Sequence, residues 1–240
     1  MSDLIVGAQN SDPAAGSNAG RSYVIFGSTT GAFSQTTVDW LGTDGNDVKI
    51  GTTASETFVG GTGTGNDTFV LNADNAAKLA LGVTDGNLAR IDGGSGVDTI
   101  KLDGVGITLD LTAIANQGGS TPGSSSRIES IERIDLTGSG NNTLTIGLKD
   151  VLDMAGMNSF NNANSWVDGT YNLAAGGAGG INPERRHQLV IDGNAGDVVN
   201  SSGWGTSVGT VTNGGQTYAV YNQGLYAQLL IKQVITPTVV

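Results

Sequence analysis

Glycine-rich loops that carry aspartate and asparagine are the part of this sequence whose residue types point most directly to chemistry. Calcium takes about six to eight oxygen ligands, which Asp and Asn side chains and backbone carbonyls supply. Glycine tolerates positive φ and lets the backbone turn its carbonyls inward. We therefore expect several calcium ions to bind in four such loops. The candidate ligands are Asp44, Asn46 and Asp47 in GTDGND, Asn66 and Asp67 in GTGNDT, Asp92 and Asp98 in IDGGSGVD, and Asp192, Asn194 and Asp197 in IDGNAGDVVN.

One of these loops contains a complete repeat pattern. Residues 93–101 match G-G-x-G-x-D-x-U-x, a calcium-binding β-helix repeat, and residues 60–69 are a related copy stretched by an extra Thr-Gly. Such a β-helix needs about three or more repeats to bury a core, so a single full copy argues against one. We expect each loop instead to take its remaining ligands from a neighbouring strand end of a sandwich. The alternative is that Asp-Gly and Asn-Asp pairs are only turn formers.

Composition and charge narrow the class of protein. The chain has 240 residues, 39 of them glycine, no cysteine and a net charge of -11. The acid excess argues against nucleic acid and anionic membrane surfaces as partners, and it favours bound cations. The lack of cysteine excludes disulfides and thiolate chemistry. The start lacks a signal peptide and no stretch reaches transmembrane length, so we interpret the chain as a piece of a longer protein with a start Met.

Many short strand-like segments separated by turns predict the architecture. Alternation of apolar and polar residues, as in VGITLDLTAI, is typical of half-buried strands, and two segments at 76–81 and 148–156 predict short helices. We predict an all-β fold, a β-sandwich with long inserted loops and one or two short helices, in a single domain spanning 1–240. Residues 3–28 predict a hairpin, and residues 158–187 form an inserted loop without a clear strand.

The order of the motifs resembles a known group of proteins. The runs DLIVGA, SYVIFG, GTDGND, GNDTFV, IDGGSGVDTI, IESIERIDLTG, DVLDM and VIDGNAGDVVN are similar to those of RTX adhesins secreted by type I systems. Within that group the chain looks like the peptide-binding domain. The resemblance implies a calcium-stabilised β-sandwich on a bacterial cell surface, active in cell adhesion and biofilms, that captures the C-terminus of a surface protein. It also implies a monomer within a longer chain.

Aromatic and basic residues of the inserted loop are the predicted ligand site. Trp166 and Tyr171 either pack in a small secondary core or form a platform for a ligand. Arg185 or Arg186 could bind a terminal carboxylate by donating two parallel hydrogen bonds to it. Trp204 follows a calcium loop and is a further candidate. Calcium-dependent glycan binding and a non-binding structural role are the alternatives.

Catalysis is not expected from this sequence. His187 is the only histidine, and neither GxSxG nor HExxH occurs. Paired carboxylates do not exclude a glycosidase by residue type, but carboxylates in Gly/Asn loops are better suited to metal. We therefore predict a binding or structural module rather than an enzyme.

Overall fold

The structure, a computed structural model, describes residues 4–8, 21–25, 38–61, 63–81, 89–114, 126–173, 186–235 and 237–239. The chain divides into two compact units, Met1–Thr37 and Val38–Val240. In the first unit, β1 (Leu4–Ala8) and β2 (Arg21–Ile25) pair antiparallel with Leu4 opposite Ile25. This confirms the predicted hairpin.

The second unit consists of short strands and two short helices. The helices are α1 (Ala73–Ala80) and α2 (Leu148–Met154), with single 3-10 turns at Leu111–Ala113 and Asn162–Asn164. The strands are β3 (Trp40–Leu41), β4 (Val48–Ile50), β5 (Thr57–Val59), β6 (Thr68–Leu71), β7 (Arg90–Asp92), β8 (Thr99–Leu102), β9 (Thr108–Asp110), β10 (Ile128–Glu129), β11 (Arg133–Asp135), β12 (Thr143–Gly147), β13 (Val167–Asp168), β14 (His187–Asp192), β15 (Val198–Ser202), β16 (Gly209–Asn213), β17 (Gln216–Gln223), β18 (Ala227–Lys232) and β19 (Thr238–Val239).

Most of these strands stack in parallel, so that the chain winds as a solenoid. The first row is β3, β5, β7 and β10, the second is β4, β6, β8, β11, β14 and β18, and the third is β9, β12, β15 and β19. Consecutive members of each row pair parallel, in register. Each circuit of the chain therefore adds one strand to two or three rows.

Apolar side chains at matching positions of successive circuits form the interior. In the second row the paired positions are Phe69, Ile100, Ile134, Ile191 and Ile231, each at most 1% exposed. Because register places like residues over one another, a one-residue slip would turn this whole column out of the core. The buried column thus fixes the order of the circuits and the position of the loops between them.

A second apolar cluster lies on the other face of the second row. Here β16 and β17 extend the sheet antiparallel from β18, and β13 pairs with β16. Side chains of the inserted loop pack on this extension together with residues of β14, β16, β17 and β18. The cluster comprises Phe160, Trp166, Tyr171, Leu173, Val190, Val211, Tyr218, Val220 and Leu230.

The all-β prediction and the two short helices are confirmed, whereas the β-sandwich is not. Sandwiches of the predicted kind are antiparallel, but the three rows pair parallel, as in a β-helix. The expectation that residues 93–101 do not belong to a parallel stack is therefore wrong, because β8 pairs parallel with β6 and β11. Neighbouring circuits supply divergent copies, and insertions such as α1 make the circuits unequal in length.

Candidate functional site

A column of acidic side chains lies at the corner between the first and second rows. The backbone N–H of Asp47 donates to Asp67 Oδ1 over 2.9 Å, and that of Asp67 to Asp98 Oδ1 over 2.7 Å. The N–H of Asp98 in turn donates to Glu132 Oε2 over 2.9 Å. The carboxylates of Asp67, Asp98 and Glu132 therefore each accept a hydrogen bond from the acidic residue one circuit earlier. We call Asp47, Asp67, Asp98 and Glu132 the corner column.

Glycine is required where this corner passes close to its neighbours. A Cβ on Gly93 would lie 2.0 Å from the Ser130 carbonyl oxygen and 2.6 Å from Asp98 Oδ2. One on Gly60 would lie 2.2 Å from the Gly93 carbonyl oxygen and 2.3 Å from Asp67 Oδ2. The glycines thus let successive carbonyls and each circuit's own aspartate share one narrow space.

Asp98 is the least solvated acid of the column. It is 0% exposed, and its Oδ2 atom has no hydrogen-bond partner. Burial, together with the charges of Glu132, Asp67 and Asp92, raises the pKa of Asp98 to about 7, although the hydrogen bond from the Asp67 N–H lowers it. Burial also raises the pKa of Glu132 and of Asp67. The column therefore concentrates negative charge that the described protein groups only partly neutralise.

The oxygen atoms at this corner fit the chemistry of a calcium ion. Asp98 Oδ2 has no hydrogen-bond partner, the Ser130 carbonyl oxygen lies in the same narrow space, and the Gly93 carbonyl oxygen lies in the same way beside Asp67 Oδ2. Within the described ranges no three acidic or histidine side chains converge closely enough to hold a metal alone. Backbone carbonyls or water would have to complete the ligand set, as is usual for calcium.

The other predicted ligands of the first three loops lie beside the corner column. The Asn66 N–H donates to Asn46 Oδ1 over 2.7 Å, and Asn66 Oδ1 accepts from the Val97 N–H over 2.8 Å. Asp92 Oδ1 accepts from the Gly94 N–H, and Asp44 is exposed. The structure therefore brings the predicted ligands of three separate loops to one corner, where several already serve backbone hydrogen bonds.

The fourth loop lies at a different corner, between the second and third rows. Asp197 uses both carboxylate oxygens, one for the Asn142 N–H and one for the Asn194 N–H. Asp192 accepts from Arg133 over 2.5 Å and from the Tyr218 hydroxyl over 2.6 Å. Those oxygens have protein donors already, so a metal-binding role for Asp192, Asn194 and Asp197 stays a prediction.

The predicted peptide-binding residues that the structure describes are all buried. Trp166 and Trp204 are 3% exposed, and Tyr171 and Arg186 are 6% exposed. Arg186 Nη1 donates to the Tyr171 hydroxyl oxygen over 2.6 Å. Arg185 lies outside the described residues. The burial matches the satellite-core alternative for Trp166 and Tyr171, and a ligand-binding role for these residues stays a prediction.

Sequence reasoning missed a polar cleft of about 630 Å³. It lies where the corner column ends, and Glu129, Glu132, Asp153 and His187 line it. The His187 Nδ1 atom lies 2.5 Å from the Ala155 carbonyl oxygen, which can only accept, so Nδ1 carries a proton. No local motif could have revealed this cleft, because its three acids lie in or beside ordinary strands and a helix and come together with His187 only in the folded chain.

Comparison with known proteins gives no assignment. The chain matches no protein-family model, no curated protein and no solved structure. Among the helices that the structure describes, none has the length and apolarity needed to cross a bilayer.

Proposed function

We propose that this chain is a calcium-dependent, non-catalytic structural module of a secreted adhesin on a bacterial surface. The observation that supports it best is Asp98, a fully buried carboxylate with an unpartnered oxygen between two other acids. An unpaired buried charge is costly, so a native fold normally pairs it, protonates it or places it on a metal.

Calcium suits this corner better than a protein cation does. The net charge of -11 leaves few basic groups for the acids. A divalent ion would link carboxylates and carbonyls of adjacent circuits and so strengthen the contact between them. Because an ion that binds only the native state stabilises it by mass action, calcium would control the stability of the stack.

The adhesin context comes from the resemblance of the motifs. That resemblance also implies capture of a peptide C-terminus, or a glycan, by the inserted loop. Trp166 and Tyr171 would have to leave the second apolar cluster to contact such a ligand in the described arrangement. We therefore keep the adhesive ligand as a separate prediction and propose the structural role first.

Calcium binding can be measured directly on metal-free protein by titration calorimetry. We expect binding to the wild-type chain and the loss or marked weakening of at least one site in Asp98→Asn. The substitution keeps an oxygen for the Asp67 N–H but removes the charge. Asp103→Asn is the matched control, because Asp103 is exposed on the same circuit. Equal stoichiometry and affinity in wild type and Asp98→Asn would contradict the proposal.

A further inference from the structure

The polar cleft lies where the corner column stops. Among the residues that the structure describes, no first-row strand follows in the circuit after Glu132, and the end of α2 covers this position. The backbone N–H of Gly156, just beyond α2, donates to Glu132 Oε1 over 2.9 Å. The remaining space of about 630 Å³ is bounded on one side by residues 94–96 and on the other by residues 152–157.

The three acids that line the cleft differ in how well they are compensated. Glu129 Oε2 lies 2.6 Å from Arg90 Nη2, so the charge of Glu129 is paired in a salt bridge. Glu132 accepts two backbone N–H groups, which satisfy its hydrogen bonds without supplying a full positive charge.

Asp153 is the acid with unused binding capacity. Its side chain is only 8% exposed, yet its Oδ2 atom has no hydrogen-bond donor. Lys149 Nζ lies 3.9 Å from Oδ2, and its side chain is 77% exposed. Lys149 therefore compensates Asp153 only weakly, and Asp153 lines the cleft, so a small shift of its side chain would bring the buried oxygen to a donor in the cleft.

The lining favours an organic cation over a bare metal ion. No three acidic or imidazole groups converge here or elsewhere in the described part of the chain. The volume is far larger than one ion needs, and Leu152, Met154 and Met157 add apolar surface suited to an alkyl stem. A guanidinium group has a planar set of N–H donors that matches carboxylates and nearby hydroxyls.

The rim indicates that the cation belongs to a polypeptide. Met157 bridges to His187 from one side, and the His187 N–H donates to the Tyr226 carbonyl oxygen on the other. Met157 lines the cleft and is 55% exposed. Residues beside a bound basic side chain would cover this exposed apolar side chain.

We propose that the cleft binds the guanidinium group of an arginine side chain on a partner polypeptide, with Asp153 as its principal acceptor. This goes beyond the structural role proposed above, which depends on the corner column and not on Asp153. Its failure would leave calcium binding untouched.

The probe is Nα-acetyl-arginine amide, titrated into isotope-labelled protein at saturating calcium and followed by amide chemical shifts. We expect saturable shifts at Ser95, Gly96, Met157 and His187 with a Kd of about millimolar order, as befits a single side chain. The matched citrulline amide has the same shape without the charge and should bind at least about tenfold more weakly. Equal shifts with both amides, or no shifts with either, would overturn the proposal.

Two pairs of variants locate the site. Asp153→Asn should weaken arginine binding about tenfold, while Asp103→Asn, exposed and outside the cleft, should not. Met157→Lys places a cation at the exposed rim and should abolish binding, while neutral Met157→Gln should retain it. The second pair tests the site even if Asp153→Asn misfolds. Unchanged binding in Met157→Lys, or displacement of the amide from these residues by excess calcium, would contradict it.

Discussion

At the residue scale, the Asp98 carboxylate has two opposing effects on stability, one through its hydrogen bond and one through its buried charge. Its Oδ1 atom must accept the Asp67 N–H to keep the corner closed, whereas its Oδ2 atom is buried without a donor. A carboxylate in this position stabilises the circuit locally and destabilises the fold through its charge. The pH dependence of the metal-free protein follows from this conflict.

The metal-free protein should lose stability as Asp98 ionises. Burial raises the pKa of Asp98 from an ordinary value of 3.8 to about 7. A carboxyl group whose pKa is higher in the folded chain than in the unfolded chain contributes stability fully below the unfolded pKa. That contribution is lost as the pH rises through the folded pKa.

In excess chelator, the Tm of the wild-type chain should therefore fall from about pH 5 to about pH 8 by several degrees more than that of Asp98→Asn. The scale is that about 1 kcal/mol shifts the Tm of a domain of this size by about 2–4 °C. The comparison isolates Asp98, because the other acids titrate in both proteins. Parallel Tm curves for the two proteins would show that Asp98 carries no such penalty.

Gly93 and Gly45 should respond differently to the same substitution. A Cβ at Gly93 collides with the Ser130 carbonyl, whereas a Cβ at Gly45 has its nearest neighbour, Thr43 Oγ1, at 3.9 Å. Gly93→Ala should therefore destabilise the protein by about 2 kcal/mol or more, because overpacking against backbone cannot relax cheaply. Gly45→Ala should be neutral or slightly stabilising. Chemical denaturation at fixed calcium gives the free energy of unfolding of both variants. Equal effects would mean that the corner has room for a Cβ at Gly93.

At the scale of elements, the inserted segment packs as part of the second row's sheet. The Trp166 ring lies 5.3 Å from the Phe160 ring and 5.0 Å from the Tyr218 ring, centroid to centroid. The sequence identified these aromatics as a group but left open whether they were core or ligand platform. The distinction depends on β16 and β17, which lie later in the chain and supply the surface that the segment covers.

Trp166→Ala should destabilise the protein by about 3–5 kcal/mol, the usual cost of removing a buried large aromatic side chain. The adjacent Val167 is 59% exposed, so Val167→Ala should change the free energy of unfolding by less than about 0.5 kcal/mol. Denaturant unfolding with tryptophan-independent detection, such as far-UV circular dichroism, gives both values. If Trp166→Ala unfolds like wild type, the second apolar cluster is not a packed core.

At the scale of the whole molecule, the repeated circuits are regular in the structure but not in the sequence. Successive residues of the corner column are separated by 20, 31 and 34 positions, so no fixed period marks the solenoid. Short strands and turns predicted an all-β chain correctly, because alternation and glycine punctuation are local signals. Parallel stacking is a long-range property, and α1 and the long loops hid it. The cleft was hidden for the same reason, since its lining residues Glu132, Asp153 and His187 come from separate elements of two stacked circuits.

Thermal unfolding with and without calcium tests the central claim most directly. The Tm of one preparation should be measured by circular dichroism in three conditions: in millimolar calcium, in the same concentration of magnesium, and in excess chelator. If calcium binds at the corner column, the Tm in calcium should exceed that in chelator by well over about ten degrees, as expected when several kcal/mol of linked binding are lost. Magnesium should restore little of the difference, because it favours a smaller, strictly octahedral site with water ligands. Superimposable melting curves in calcium and in chelator would contradict the account.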